Sequence, residues 1–320
     1  MPRPDSSHSG KEAARPPCAR PWQEITIAPM DLAGLRRQID RVGDTLLDEV
    51  WKRDAFAELT AALVPTGFRW ALSVNSSVSR GDREVRLEGV LLDVPGDTRA
   101  AQICRTFDAA GLVVVHEYLR IEDAFRGGGL SHRMLRQGFD VYRQLDMRLV
   151  VVHAALETGR WHWARMGFQC ATDEEQALVE TWARLSLAAL RAPDLPDRFD
   201  LRALAVLGTE ESGQSASLRQ VREAVLRLVA ALGDVPAIQA MLDEYERRTL
   251  KLEKDRWGWD SEERLKAVAA GNGVAFDEEI PLGKAIMLAG PDWFGVFDLR
   301  SSASRIVFQE EFERRFGTGP

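Results

Sequence analysis

The chain is short of the features that mark several protein classes. Only three cysteines occur, Cys18, Cys104 and Cys170, with no C-x-x-C pair. That excludes a disulfide framework and a cysteine-rich zinc site, no metal is expected, and the cysteines fit a reducing compartment. No stretch reaches the roughly 18–20 uncharged apolar residues of a spanning helix; the apolar runs are strand-sized, as at 111–115. No membrane span is therefore expected. Positive charge is in deficit, 42 Lys plus Arg against 49 Asp plus Glu, for a net charge of -7 and a pI of about 5.5. This argues against a nucleic-acid partner, which would need a basic footprint. Residues 1–22 lack the apolar segment of a secretory signal and are rich in Pro and Ser. They read as a flexible tail, and a cytoplasmic location is expected.

What remains is an ordinary globular composition, with 45% hydrophobic and 28% charged residues over 320 positions, enough for a sizeable core in one or two domains. From Asp31 to Leu63 apolar residues recur at three and four positions, which is helical spacing. The pattern then changes to short runs bounded by Gly, Pro, Asn and Asp. Strands are predicted at Phe68–Val74, Val85–Asp93, Arg99–Asp108 and Leu112–Ile121, forming a meander. A helix is predicted through Leu130, Met134, Leu135, Phe139 and Tyr142, and a buried strand at Leu149–His153. A strand, a helix and a second strand imply a right-handed crossover with the two strands parallel and the glycines at the end of the first.

The second half reads as mostly helical. Ser217 and Gln220 form a capping box, and Gly233 with Pro236 turns the chain into a second helix through Ile238, Leu242, Tyr245 and Leu252. Ala285–Leu288 and Phe294–Leu299 are predicted as two short strands before a final helix ending near Phe316.

The chemistry-bearing segment is 112–168. The strand VVVHEYLRI leads into RGGGLSHRML, where the helix starts directly on the glycines. Free N–H groups at such a start, with the positive end of the helix dipole, attract anions. A Walker A loop is rejected because no Lys follows the glycines, and a dinucleotide fingerprint is weak because His132 stands at its third glycine. His116-Glu117 begins a zincin motif, but Arg120 replaces its second His. Ser131-His132, adjacent on a helix, make a poor hydrolase dyad. Trp257 and Trp259 read as buried packing, and the mixed charges of 244–256 as a solvated helix face.

A third pattern, [QR]-x-x-G-x-[GA], is met by Arg126 and Gly129 and nearly met by Ser131. With the preceding strand, with Met134 and Leu135 in the helix, and with Arg160-Trp-His-Trp-Ala-Arg-Met-Gly-Phe168 downstream, residues 68–170 resemble the GNAT superfamily of acetyl-CoA-dependent N-acetyltransferases. The resemblance implies an α/β fold of the α+β kind, a mixed and mostly antiparallel sheet with flanking helices. It divides the chain into the tail (1–22), an acyl-CoA-binding domain (23–170) and a mostly helical region (171–320) whose 285–299 segment returns to the sheet, making 170–280 an insertion.

The resemblance further implies acetyl-CoA as co-substrate and an amine, small molecule or protein, as acceptor. Backbone N–H groups of Arg126, Gly127, Gly128, Gly129, Leu130 and Ser131 would hold the pyrophosphate. Leu119 and Ile121 would lie on a strand that splays from its neighbour and pairs with the pantetheine amides. Glu117 is the first candidate for the base and is expected, from period-two alternation, to share a face with Leu119 and Ile121 while His116 points away. His116, with an unperturbed pKa near 6.5, ranks second. Trp163 stands where the family usually has the acidic Tyr, and an indole N–H cannot usefully give up its proton; His162 or water would protonate the thiolate. Asp173, Glu174 and Glu175 are candidates for an acidic acceptor lining, against a solvated loop. A non-catalytic acyl-CoA-binding or interaction module is the competing reading.

Overall fold

The computed structural model describes residues 61–77, 84–108, 110–154, 159–193, 195, 197–209, 213–233, 235–250 and 262–317. The helical prediction over 31–60 and the readings of Trp257, Trp259 and the 251–256 part of the charged segment fall outside these residues.

The first four strands are β1 (Phe68–Ser77), β2 (Glu84–Asp93), β3 (Arg99–Asp108) and β4 (Val113–Ile121), each antiparallel to the next. A short 3-10 turn, Asp123–Phe125, leads to helix α1 (Leu130–Gln144) and then to β5 (Leu149–Ala154), which runs parallel to β4. The predicted crossover is therefore present. Helix α2 (Gly159–Arg165) and the two-residue strand β6 (Gln169–Cys170) follow.

Seven helices, with the two-residue ladder β7 (Ser215–Ala216) and β8 (Ile280–Pro281), and one more sheet strand make up the rest of the described residues. The first six of these helices are α3 (Asp173–Leu190), α4 (Leu201–Val206), α5 (Leu218–Leu232), α6 (Pro236–Leu250), α7 (Glu262–Gly271) and α8 (Leu282–Ala289). Then come β9 (Trp293–Asp298) and α9 (Ser302–Phe316). The capping box is as read: the Ser217 hydroxyl accepts from the Gln220 N–H, and the Gln220 side chain accepts from the Ser217 N–H.

The main sheet has seven strands in the order β1-β2-β3-β4-β5-β9-β6, mostly antiparallel. β9 inserts between β5 and β6, pairing antiparallel with both. Half of the predicted return to the sheet is thus observed. The other half is corrected: Ala285–Leu288 lies in α8, whose residues apart from Lys284 are buried. An apolar run buried on all sides carries no periodicity to tell helix from strand. The acidic triplet is corrected too, since Asp173–Glu175 forms the first turn of α3, capped by Thr172, rather than a loop.

α1 packs on one sheet face through Tyr142, whose ring meets Phe107 edge-on at 5.7 Å. Beneath it Phe139 stacks on Phe297 at 4.5 Å, and Phe168 and Phe308 complete the cluster that joins β9 and α9 to α1. Such ring pairs add about 0.5–1.5 kcal/mol each beyond their buried area.

Candidate functional site

The site begins with a fault in β4. Cys104 pairs with Tyr118 but Arg105 pairs with His116, so Glu117 is an extra residue in the ladder, a β-bulge. Opposed residues share a face, so Val114, His116, Leu119 and Ile121 lie with Phe107, Arg105, Ile103 and Ala101 on the α1 side. Glu117 and Tyr118 lie on the other. The expected grouping of Glu117 with Leu119 and Ile121 is corrected: the bulge moves both strand residues to the face of His116.

The bulge coincides with a parting of strands. β4 and β5 are paired from Val113–Leu149 to His116–Val152 and no further, although β5 continues to Ala154 and β4 to Ile121. Past His116 the polar edge of β4 that faces β5 is released from the ladder.

On the open side of the bulge, Glu117 accepts hydrogen bonds from Thr106 and from Cys104 (3.5 Å) and pairs with Arg86 at 3.3 Å. Arg86 also donates to Cys104 Sγ at 3.1 Å. The carboxylate is half-buried and its orientation is fixed from three sides. His116 is different: it is buried, with Nε2 2.9 Å from the Tyr142 hydroxyl and Nδ1 without a partner. Burial, aided by the Arg105 charge, holds its pKa well below the usual value. Burial likewise pushes Tyr142 up to about 12.

β4 leads through Asp123–Phe125 to the glycines. Arg126 clamps this turn, donating to the carbonyls of Ile121 and Gly271 at 3.0 Å each. Gly127 (φ +78°) and Gly129 (φ +74°) adopt the left-handed region that side chains resist, and Gly129 is the N-cap of α1. No side chain caps this helix start and no acidic residue stands in its first turn. The N–H groups of Leu130, Ser131 and His132 thus precede the first intrahelical bond, Arg133 N–H to Gly129 O. The Ser131 hydroxyl lies 3.4 Å from His132 Nδ1.

Between the loop and the parting strands runs a row of rings. His132 lies 5.1 Å from His162, His162 lies 5.2 Å from Trp163, and Trp163 lies 6.1 Å from His116. Nε2 of both His132 and His162 is buried without a hydrogen-bond partner. Burial lowers His132 to about 2 and His162 to about 4, with the Arg165 and Arg315 charges adding to the effect. A histidine held this low is neutral at pH 7 and a poor donor to a thiolate. Trp163 is buried, with Phe168 5.1 Å from it.

The structure brings Arg126–Ser131, Leu119, Ile121, His116, His162 and Trp163 to one side of the sheet and sets Glu117 on the opposite side of the same strand. It places Glu175 elsewhere, accepting from the Phe294 N–H. Sequence reasoning missed His132 as a member of the row. Position 132 is the third residue of the helix that the glycines start, and that proximity was the available signal. The final helix was expected, but not its place on the loop, where Arg315 of α9 donates to the Gly127 carbonyl at 2.9 Å from 188 residues away. Clefts of about 470 Å³ lie between α1 and α9 and beside α3 and α5, and none of the glycine-loop residues lines either.

No protein-family model matches the chain, and neither curated proteins nor solved structures provide a match.

Proposed function

We propose that the protein is an acetyl-CoA-dependent N-acetyltransferase of the GNAT kind, acting on an amine acceptor. One observation carries the reading: a strand that bulges at Glu117, parts from its parallel neighbour directly afterwards, and ends in an uncapped, glycine-rich helix start. The released edge of β4 offers backbone groups to an amide-bearing arm. The helix start offers free N–H groups and a positive dipole to a pyrophosphate. Space is open at Gly127 and Gly128, where an added Cβ would meet at most the Phe125 carbonyl at 4.0 Å.

The bulge places Glu117 on the sheet face away from the glycine loop. The acceptor then approaches from the Glu117 side and the thioester from the α1 side, meeting where the strands part. The amine nitrogen attacks the thioester carbon, the C–N bond forms and the C–S bond breaks. Glu117 takes the amine proton, and the thiolate leaves with a proton from water, since His162 is held neutral. Arg86, Thr106 and Cys104 position the base.

A second reading, acyl-CoA binding without turnover, is favoured by Trp163, buried in the ring row where the family's acid would stand. Titration of the chain with acetyl-CoA tests both readings together, since each requires binding. Gly128→Glu adds a negative charge where a side chain has room, and it should weaken binding at least 100-fold in a folded protein. Glu117→Gln should bind unchanged but lose about 10²–10⁴ in turnover against an amine panel. Binding without turnover by the parent supports the second reading; no binding by the parent sinks both.

A further inference from the structure

The end of α9 lies on the glycine loop. Phe316, its last residue, puts its ring where a Cβ on Gly129 would stand, and Arg315 donates to the Gly127 carbonyl at 2.9 Å. The Phe316 ring is 4.7 Å from Phe312 and 6.0 Å from His132, so it closes the loop end of the row His132, His162, Trp163, His116. His132 beneath it is only 2% exposed.

The helix is anchored one turn earlier. Buried Glu311 pairs with Arg165 of α2 at 2.8 Å and with Arg314 at 2.6 Å. Beyond that anchor the contacts are slight. Phe316 keeps 38% of its surface in water, and Gly317 follows with φ +76° as the C-cap. A terminal turn held by one exposed hydrogen bond and a half-covered ring opens at low cost.

We propose that this last turn is a gate: Phe316 covers Gly129 in the free protein, a phosphate-bearing ligand enters by displacing it, and Arg315 then exchanges the Gly127 carbonyl for the phosphate. The exchange is downhill, because a guanidinium bonds an anion more strongly than a neutral carbonyl. A metal ion between His132 and His162 is a poorer occupant, since Arg165, Arg314 and Arg315 all set positive charge around His132. The ligand's identity rests on the acyl-CoA reading; the gate itself rests on the contact. If the loop is open in about one molecule in ten, closure weakens apparent affinity about tenfold.

The test is calorimetric titration of the full chain, Phe316→Ala and Arg315→Ala with acetyl-CoA and with inorganic pyrophosphate, each variant first shown to unfold cooperatively. Phe316→Ala should tighten both probes about tenfold, and Arg315→Ala should weaken both by a similar factor. If the parent binds acetyl-CoA and Phe316→Ala tightens neither probe, the gate is overturned and the transferase reading stands. If Phe316→Ala tightens pyrophosphate while acetyl-CoA binds no variant, the gate stands and the acyl-CoA reading falls. Absence of binding by every folded variant overturns both.

Discussion

Arg160 carries more of the architecture than its place in an aromatic-rich motif would indicate. Buried at the start of α2, it donates to Asp292 and to the carbonyls of Leu288 and Gly290, tying the α8–β9 turn to α2. Removing one member of such a pair takes its opposite charge away from a buried partner. Arg160→Met should therefore destabilise the fold by about 3–5 kcal/mol in urea titration, with Arg160→Met/Asp292→Asn recovering part of the loss. A double variant no more stable than the single one would contradict this account. At this scale the sequence was legible where geometry is local, as in the glycines that start α1. It was silent where partners are remote, because nothing in the residues around Arg160 or Gly127 names Asp292 or Arg315.

Among the elements, β1 to β5, α1 and the β9 strand were readable because alternation and helical spacing hold over enough residues to declare themselves. The bulge was not readable, since one inserted residue leaves the composition of VVVHEYLRI unchanged while exchanging its faces. Helix α8 was misread for want of a polar side, and its packing shows why that side is missing. An added Cβ on Gly283 would run into the Leu204 carbonyl of α4, and the Gly283 N–H donates to Leu207 O at 2.8 Å. Gly283→Ala should force the two helices apart and cost about 1–3 kcal/mol. Gly128→Ala, which meets nothing nearer than 4.0 Å, is the control and should stay within about 0.5 kcal/mol. Thermal unfolding of the two variants side by side checks the contrast.

For the molecule as a whole, three histidines are held neutral in the fold: His116, His132 and His162. In the unfolded chain each binds a proton below about pH 6.5. The unfolded state therefore takes up more protons as pH falls, and stability declines from pH 6.5 toward about 4 for His162 and about 2 for His132. Each contributes a slope of up to about 1.4 kcal/mol per pH unit in that window. Urea midpoints measured from pH 7 to pH 4.5 should fall steadily, and a flat profile would show that these rings take up protons in the native state.

The position of β9 has a bearing on synthesis. The strand that closes the sheet between β5 and β6 leaves the ribosome more than a hundred residues after β5. Throughout that interval β5 presents an apolar, hydrogen-bonding edge with no mate, the surface on which nascent chains associate with one another. Solubility during expression is thus set by how fast β9 and α9 arrive and dock.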